Sequence, residues 1–193
     1  MDTDDTPDGR PRIQKGDPRE IGGGEDQAIL CDPIWNSKGE IDVSEKSFIV
    51  LLAEDNEHDL LATKRAWKKN NIANPLHIVR DGEECLDYLY RRAKYSEPGA
   101  APRPGILLLD IKMPKMDGLT VLEHIRDDKN LRRLPVIILT TSKAEEDRFR
   151  SYDLGANAFI MKPVGFQNLA EAVKAINIFW KVAELPEWAD ELG

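Results

Sequence analysis

From residue 47 the chain alternates between two hydrophobic patterns. "SFIVLLAED" (47–55), "PGILLLD" (104–110), "LPVIILTT" (134–141) and "ANAFIMKP" (156–163) are short runs with almost no polar interruption, and "PLHIV" (75–79) is a weaker fifth. Runs apolar at successive positions suit strands covered on both faces, as in a parallel sheet. Between them the apolar residues fall at helical spacing: Leu60, Leu61 and Trp67, then Leu119, Leu122 and Ile125, then Leu169, Val173, Ile176 and Trp180. Cys85 falls on the apolar side of a helix between the second and third strands. Strand and helix alternate five times, which predicts an α/β domain with a doubly wound five-stranded parallel sheet over residues 47–184. A Pro/Gly-rich connection, "RRAKYSEPGAAPRPG" (91–105), reads as a surface loop before the third strand.

The ends differ from this pattern. Residues 1–46 hold twelve Asp or Glu against six Lys or Arg, together with ten Gly or Pro. Such a stretch buries too little apolar surface to offset its ordering entropy, so it is expected to be a largely disordered acidic extension. One island within it, "AILCDPIW" (28–35), could dock on a surface. Residues 185–193 read as a short C-terminal tail. The net charge of −8 argues against a broad nucleic-acid-binding surface. No apolar run approaches the roughly 20 residues needed to span a membrane, and the N-terminus lacks a secretory pattern, so a cytoplasmic location is expected. Cys31 and Cys85 have no metal-like spacing, and His58, His77 and His124 are too scattered to suggest a metal site.

In open α/β sheets the functional crevice lies at the carboxyl ends of the strands. There the pattern places Glu54 and Asp55 after the first strand, Asp110 after the third, Thr140 at the fourth and Lys162 after the fifth. Three carboxylates on one edge repel each other unless a hard divalent cation sits among them, and Mg²⁺ favours a few carboxylates with waters and a phosphate. Lys162 adds a point charge for phosphate oxygens, and Thr140 adds a hydroxyl. The set suits transfer of a phosphoryl group onto a carboxylate, with Asp110 as nucleophile. Taken singly, an acid at a strand end is often only a helix N-cap, and that reading stays open for Asp55.

The order Glu54-Asp55, Asp110, Thr140, Lys162-Pro163, with "MPKMDG" after Asp110 and "LGANAFIMKP" at the last strand, resembles the receiver domain of two-component response regulators. The resemblance covers residues 47 to about 184 and implies a flavodoxin-like fold. It implies a phosphoprotein that is not a conventional enzyme: Asp110 accepts a phosphoryl group from a histidine kinase, and the protein promotes its own phosphorylation and dephosphorylation. It also implies Mg²⁺ held by Asp55, Asp110, the Lys112 backbone carbonyl and, through water, Glu54. Lys162 pairs with the phosphoryl group, while Thr140 and Phe159 act as the switch residues. Lys162-Pro163 corresponds to a cis peptide in that family. Lys112 and Thr141 occupy slots that tune phosphoryl lifetime.

Haloacid-dehalogenase-type phosphatases also use a strand-end aspartate. They need a second acid two residues later, where this chain has Lys112. After the last helix only "VAELPEWADELG" (182–193) follows, so output is expected through contact with a downstream protein. "AEDNEHD" (53–59), the long loop before the third strand and "NIFWKVAELP" (177–186) resemble the single-domain regulators paired with bacterial phytochromes. The alternative is a phosphorelay intermediate serving an unrelated sensor kinase. Ile178, Phe179 and Val182 extend the last helix's apolar stripe beyond what a sheet can cover, and Phe149 and Tyr152 lie on the preceding helix. This excess predicts a homodimer, with Phe179 or Trp180 near its centre.

Overall fold

The computed structural model describes residues 47–186 and residue 188. The acidic extension 1–46, with "AILCDPIW" and Cys31, lies outside the described residues. The elements follow in the order β1 (Ile49–Ala53), α1 (Glu57–Lys69), β2 (Leu76–Val79), α2 (Gly82–Leu89) and a single 3-10 turn (Ala93–Tyr95). Then come β3 (Pro104–Leu109), α3 (Gly118–Asp127), β4 (Val136–Thr140), α4 (Glu145–Asp153), β5 (Ala158–Met161) and α5 (Phe166–Val182). All five strands pair in parallel in the order β2-β1-β3-β4-β5, as the alternating pattern predicts.

Successive strand residues point to opposite faces, and both faces are covered. On one side Leu51, Ala53, Leu107, Leu109, Val136 and Ile138 pack with Cys85, Leu86 and Leu89 of α2 and Leu119, Leu122 and Ile125 of α3. On the other, Val50, Leu52, Ile106, Leu108 and Ile137 meet Leu60, Ala66 and Trp67 of α1 and Leu169, Val173 and Ile176 of α5. Two-sided burial is why these strands are apolar at successive positions. Trp180 is half-buried against the α1/α5 side, while Ile178 and Phe179 are exposed.

The chain after α5 does not simply trail away. Leu185 packs beside Phe48 and Gly105, and Trp188 is buried with the Arg103 guanidinium 4.8 Å from its ring centroid. The segment read as a tail thus contributes two apolar side chains to the packed domain. Its acidic neighbours hide this in the sequence.

The topology places the site. β1 is flanked by β2 on one side and β3 on the other, so the connections leaving β1 and β3 depart to opposite faces. A crevice opens at the carboxyl ends of these two strands.

Candidate functional site at the carboxyl edge of the sheet

Each strand along this edge ends on a polar group. The Glu54 N–H donates to the Val79 carbonyl (3.0 Å), the Asp110 N–H to Ala53 (3.1 Å), and the Lys162 N–H to Thr140 (2.8 Å). These ladder bonds continue one residue past β1, β3 and β5, so the backbone of each chemical residue is fixed by its neighbour strand. Glu54, Asp110 and Thr140 are buried, and Asp55 is exposed.

Asp55 is not the helix cap. That position belongs to Asn56, whose Oδ1 accepts from the N–H groups of His58 (2.9 Å) and Asp59 (3.2 Å). Asp55 makes no hydrogen bond or ion pair among the described residues, and the capping explanation for an acid there falls away. Asp117 caps α3 in the same way, at the end of the loop that leaves Asp110.

Lys162 occupies the centre. Its Nζ donates to Asp110 Oδ2 (2.9 Å), to Asp59 Oδ2 (2.9 Å) and to Glu54 Oε2. The other Asp110 oxygen, Oδ1, accepts from the Ile111 N–H at 2.7 Å. Burial pushes the Glu54 carboxyl up to about 7, against the downward pull of its Lys162 contact. Burial alone would lower the Lys162 ammonium, but contacts with Glu54, Asp110 and Asp59 hold it above the ordinary lysine value. Asp59 was not picked out by sequence reasoning. An acid in a first helical turn reads as a partner of the helix dipole, and its reach across 103 residues of chain carries no local signal.

One carboxylate oxygen each from Glu54, Asp55 and Asp110 lies within 4.8 Å of the others. An octahedral ion with bonds of about 2.1 Å spaces its ligands roughly 3 to 4.2 Å apart, so small side-chain adjustments suffice for these three to share a hard divalent cation. The donor set, all oxygen and all acidic, fits such an ion. Lys112 lies exposed on the loop two residues after Asp110. That loop is folded back by the Gly118 N–H, which donates to the Ile111 carbonyl at 2.8 Å.

Thr140 is fully buried at the end of β4, with its hydroxyl oxygen accepting from the Ser142 N–H at 3.2 Å. Thr141 beside it is exposed. Phe159 is half-buried in β5, packed against the α2/α3 side of the core. The Lys162–Pro163 peptide departs from expectation: no cis bond occurs among the described residues, and this one is trans. Trans is the isomer an X–Pro bond prefers by about 0.5–1 kcal/mol. Phe149, Tyr152 and Phe179 are exposed, as the apolar excess predicted, and lie on α4 and α5, not on the strand ends that carry the acids.

Known proteins share this sequence pattern and fold. The family model for the response regulator receiver domain matches residues 50–174. The chain is 35% identical over 142 residues to a probable methanogenesis regulatory protein, FilR2, of Methanothrix harundinacea, covering 74% of this chain and 89% of that one. It is also 35% identical over 139 residues to response regulator Rcp1 of a Synechocystis strain, covering 72% and 92%. A solved Mn²⁺-bound form of Rcp1 superposes with a TM-score of 0.66 over 72% of this chain and 99% of that one. The phosphorylated cyanobacterial phytochrome response regulator RcpA superposes with a TM-score of 0.68 at 38% identity, over 74% of this chain and all of the other. A parallel 2-1-3-4-5 sheet, acids at the ends of β1 and β3, a lysine after β5 and a family match across most of the domain lead to one assignment: the chain belongs to the response regulator receiver family.

Proposed function

We propose that this protein receives a phosphoryl group on Asp110 from the phosphohistidine of a sensor kinase and passes the signal on by protein–protein contact. The observation that carries this reading is the Lys162 ammonium, 2.9 Å from Asp110 Oδ2, at a cluster in which the Glu54, Asp55 and Asp110 carboxylates converge. A carboxylate oxygen of Asp110 attacks phosphorus, the P–N bond breaks, and its electron pair returns to the donor imidazole. An acyl phosphate results. Lys162 then exchanges its contact with the Asp110 carboxylate for one with a phosphoryl oxygen, keeping a cation beside the added charge.

Asp55, Asp110 and the Lys112 carbonyl would hold Mg²⁺, with Glu54 bound through water. The ion supplies charge neutralisation for the incoming phosphoryl oxygens. Thr140 would serve as the switch hydroxyl. To reach the phosphoryl group it leaves the Ser142 N–H, and Phe159, three residues before Lys162, moves into the space behind it. The changed surface lies on α4, β5 and α5. Asp110 with its surroundings also favours hydrolysis of its own acyl phosphate, so the protein is a self-limiting phosphoacceptor rather than an enzyme acting on a separate substrate.

The likeness to RcpA favours a bacterial phytochrome as the kinase partner. The cytoplasm is the location we propose, and the small all-oxygen donor set of Glu54, Asp55 and Asp110 is the reason for proposing Mg²⁺ as the ion. The likeness to FilR2 keeps a second reading, a relay step for an unrelated sensor kinase. Incubating the full chain with autophosphorylated kinases of both kinds separates the two. Rapid transfer from a bacteriophytochrome kinase, lost in Asp110→Asn, is the expected result. Rapid transfer only from an unrelated kinase would establish the second reading.

A further inference from the structure

We propose that Asp81 and Lys115 form a positioning pair that fixes the loop between β3 and α3, residues 111–117, in the shape that presents Asp110 and the Lys112 carbonyl to a divalent ion. This rests on the metal reading above and adds two residues that do not touch the ion.

Asp81 sits at the β2–α2 corner and does two jobs with its two oxygens. Oδ1 accepts from the Glu84 N–H (2.8 Å) and caps α2, while Oδ2 accepts from Lys115 Nζ (2.6 Å). The Asp81 side chain is 10% exposed, so this is not a fully solvated surface pair. Lys115 has φ of +63°, a left-handed backbone that lysine seldom adopts unless something holds it there. A second contact joins the same two segments: a Cβ added to Gly82 would stand 2.3 Å from the Met116 carbonyl oxygen. The start of α2 and the middle of the loop are therefore in backbone contact beside the ion pair. At the far end of the loop, a Cβ on Gly118 would stand 2.1 Å from the Asp110 carbonyl oxygen. The loop is pressed between α2 and Asp110 itself, and Lys115 ties the stretch beside Met116 to Asp81.

Asp81→Asn removes the charge but keeps a capping oxygen, since Asn and Asp cap equally well. Lys115→Met removes the charge and keeps the stem. In the metal-free full chain, hydrogen exchange at the Met116 and Gly118 amides, which carry loop hydrogen bonds, should quicken roughly threefold in each variant, the size such a partly exposed pair commands. The Cys85 amide inside α2 should hold its rate in Asp81→Asn. The double variant should exchange no faster than the faster single one, because one interaction is lost once. Glu83→Gln removes a carboxylate 4.0 Å from Lys115 and serves as control; it should leave the loop unmoved. Calorimetric titration with Mg²⁺ should show the dissociation constant rising about threefold in the two single variants. Unmoved loop exchange, additive single effects, or an equal response to Glu83→Gln overturns the pair. Normal Mg²⁺ binding in every variant overturns its positioning role. A wild-type chain that takes up no Mg²⁺ overturns the metal reading itself and the proposal with it, a result distinct from the others.

Discussion

At the scale of single residues, the site depends on one cation balancing several acids. Glu54 and Lys162 side chains are 2% and 9% exposed, so neither is well solvated. Removing one partner of a buried pair leaves the other uncompensated, at a cost of about 3 kcal/mol. Lys162→Met should therefore lower metal-free stability by roughly that amount in denaturant unfolding. Added Mg²⁺ should recover more of the loss than it adds to the wild type, because it supplies the missing positive charge. An equal Mg²⁺ increment in both proteins would contradict this. Most of these residues were legible beforehand because each stands where an apolar run stops, and a charge at that point is conspicuous. Asp59 and the Asp81–Lys115 pair were not. Their acids sit at helix starts, where Asp is ordinary, and only the fold brings a lysine to each.

At the scale of elements, the strand ends and the loops that follow them set the geometry. Gly118 opens α3 against the Asp110 carbonyl, so Gly118→Ala forces a 2.1 Å approach between a Cβ and a backbone atom. The loop must shift, with a loss of about 2 kcal/mol and slower phosphorylation of Asp110 in the same variant. Unchanged stability and rate would show that the corner is looser than described. Arg126 of α3 ties down the far end of β4 and β5 by donating to the Leu134 (3.0 Å), Gly155 (2.8 Å) and Arg132 (3.2 Å) carbonyls. The α2 corner also carries a pH dependence. Burial would raise both the Asp81 and the Glu84 carboxyls. It is outweighed by Lys115 and the Glu84 N–H at Asp81, and by Lys94, the Arg80 N–H and Tyr95 at Glu84, so both fall below the ordinary 3.8 and 4.5. A carboxyl lowered on folding adds stability above its unfolded pKa and loses it as pH falls through the folded one. Melting temperature should thus decline as pH drops below 4.5, and Asp81→Asn with Glu84→Gln should flatten that decline. Strand and helix order was readable from periodicity because burial on both faces imposes it. The anchoring by Arg126, Trp188 and Leu185 was not, since a lone arginine or an apolar pair in an acidic tail has no period.

At the scale of the whole molecule, α4, β5 and α5 expose Phe149, Tyr152, Met161, Ile178 and Phe179. Phe179 stands edge-on to Trp180 with centroids 5.1 Å apart, and Trp180 leans into the α1/α5 side. We propose that a second copy of the chain covers this face. Light scattering at micromolar concentration should report twice the 21.8 kDa chain mass, and Phe179→Asp should return it to one. A mass of one chain in the wild type, with and without an acyl-phosphate mimic, would end the dimer proposal while leaving the phosphoacceptor site intact.

Signalling by this chain, as proposed, rests on modification of Asp110. Treating the full chain with acetyl phosphate and Mg²⁺, then mapping the adduct by mass spectrometry, tests it most directly. A single hydroxylamine-labile phosphoryl group is expected on the peptide carrying Asp110, absent when Mg²⁺ is chelated. A phosphoryl group on another residue, or none on Asp110 in the presence of Mg²⁺, would contradict it.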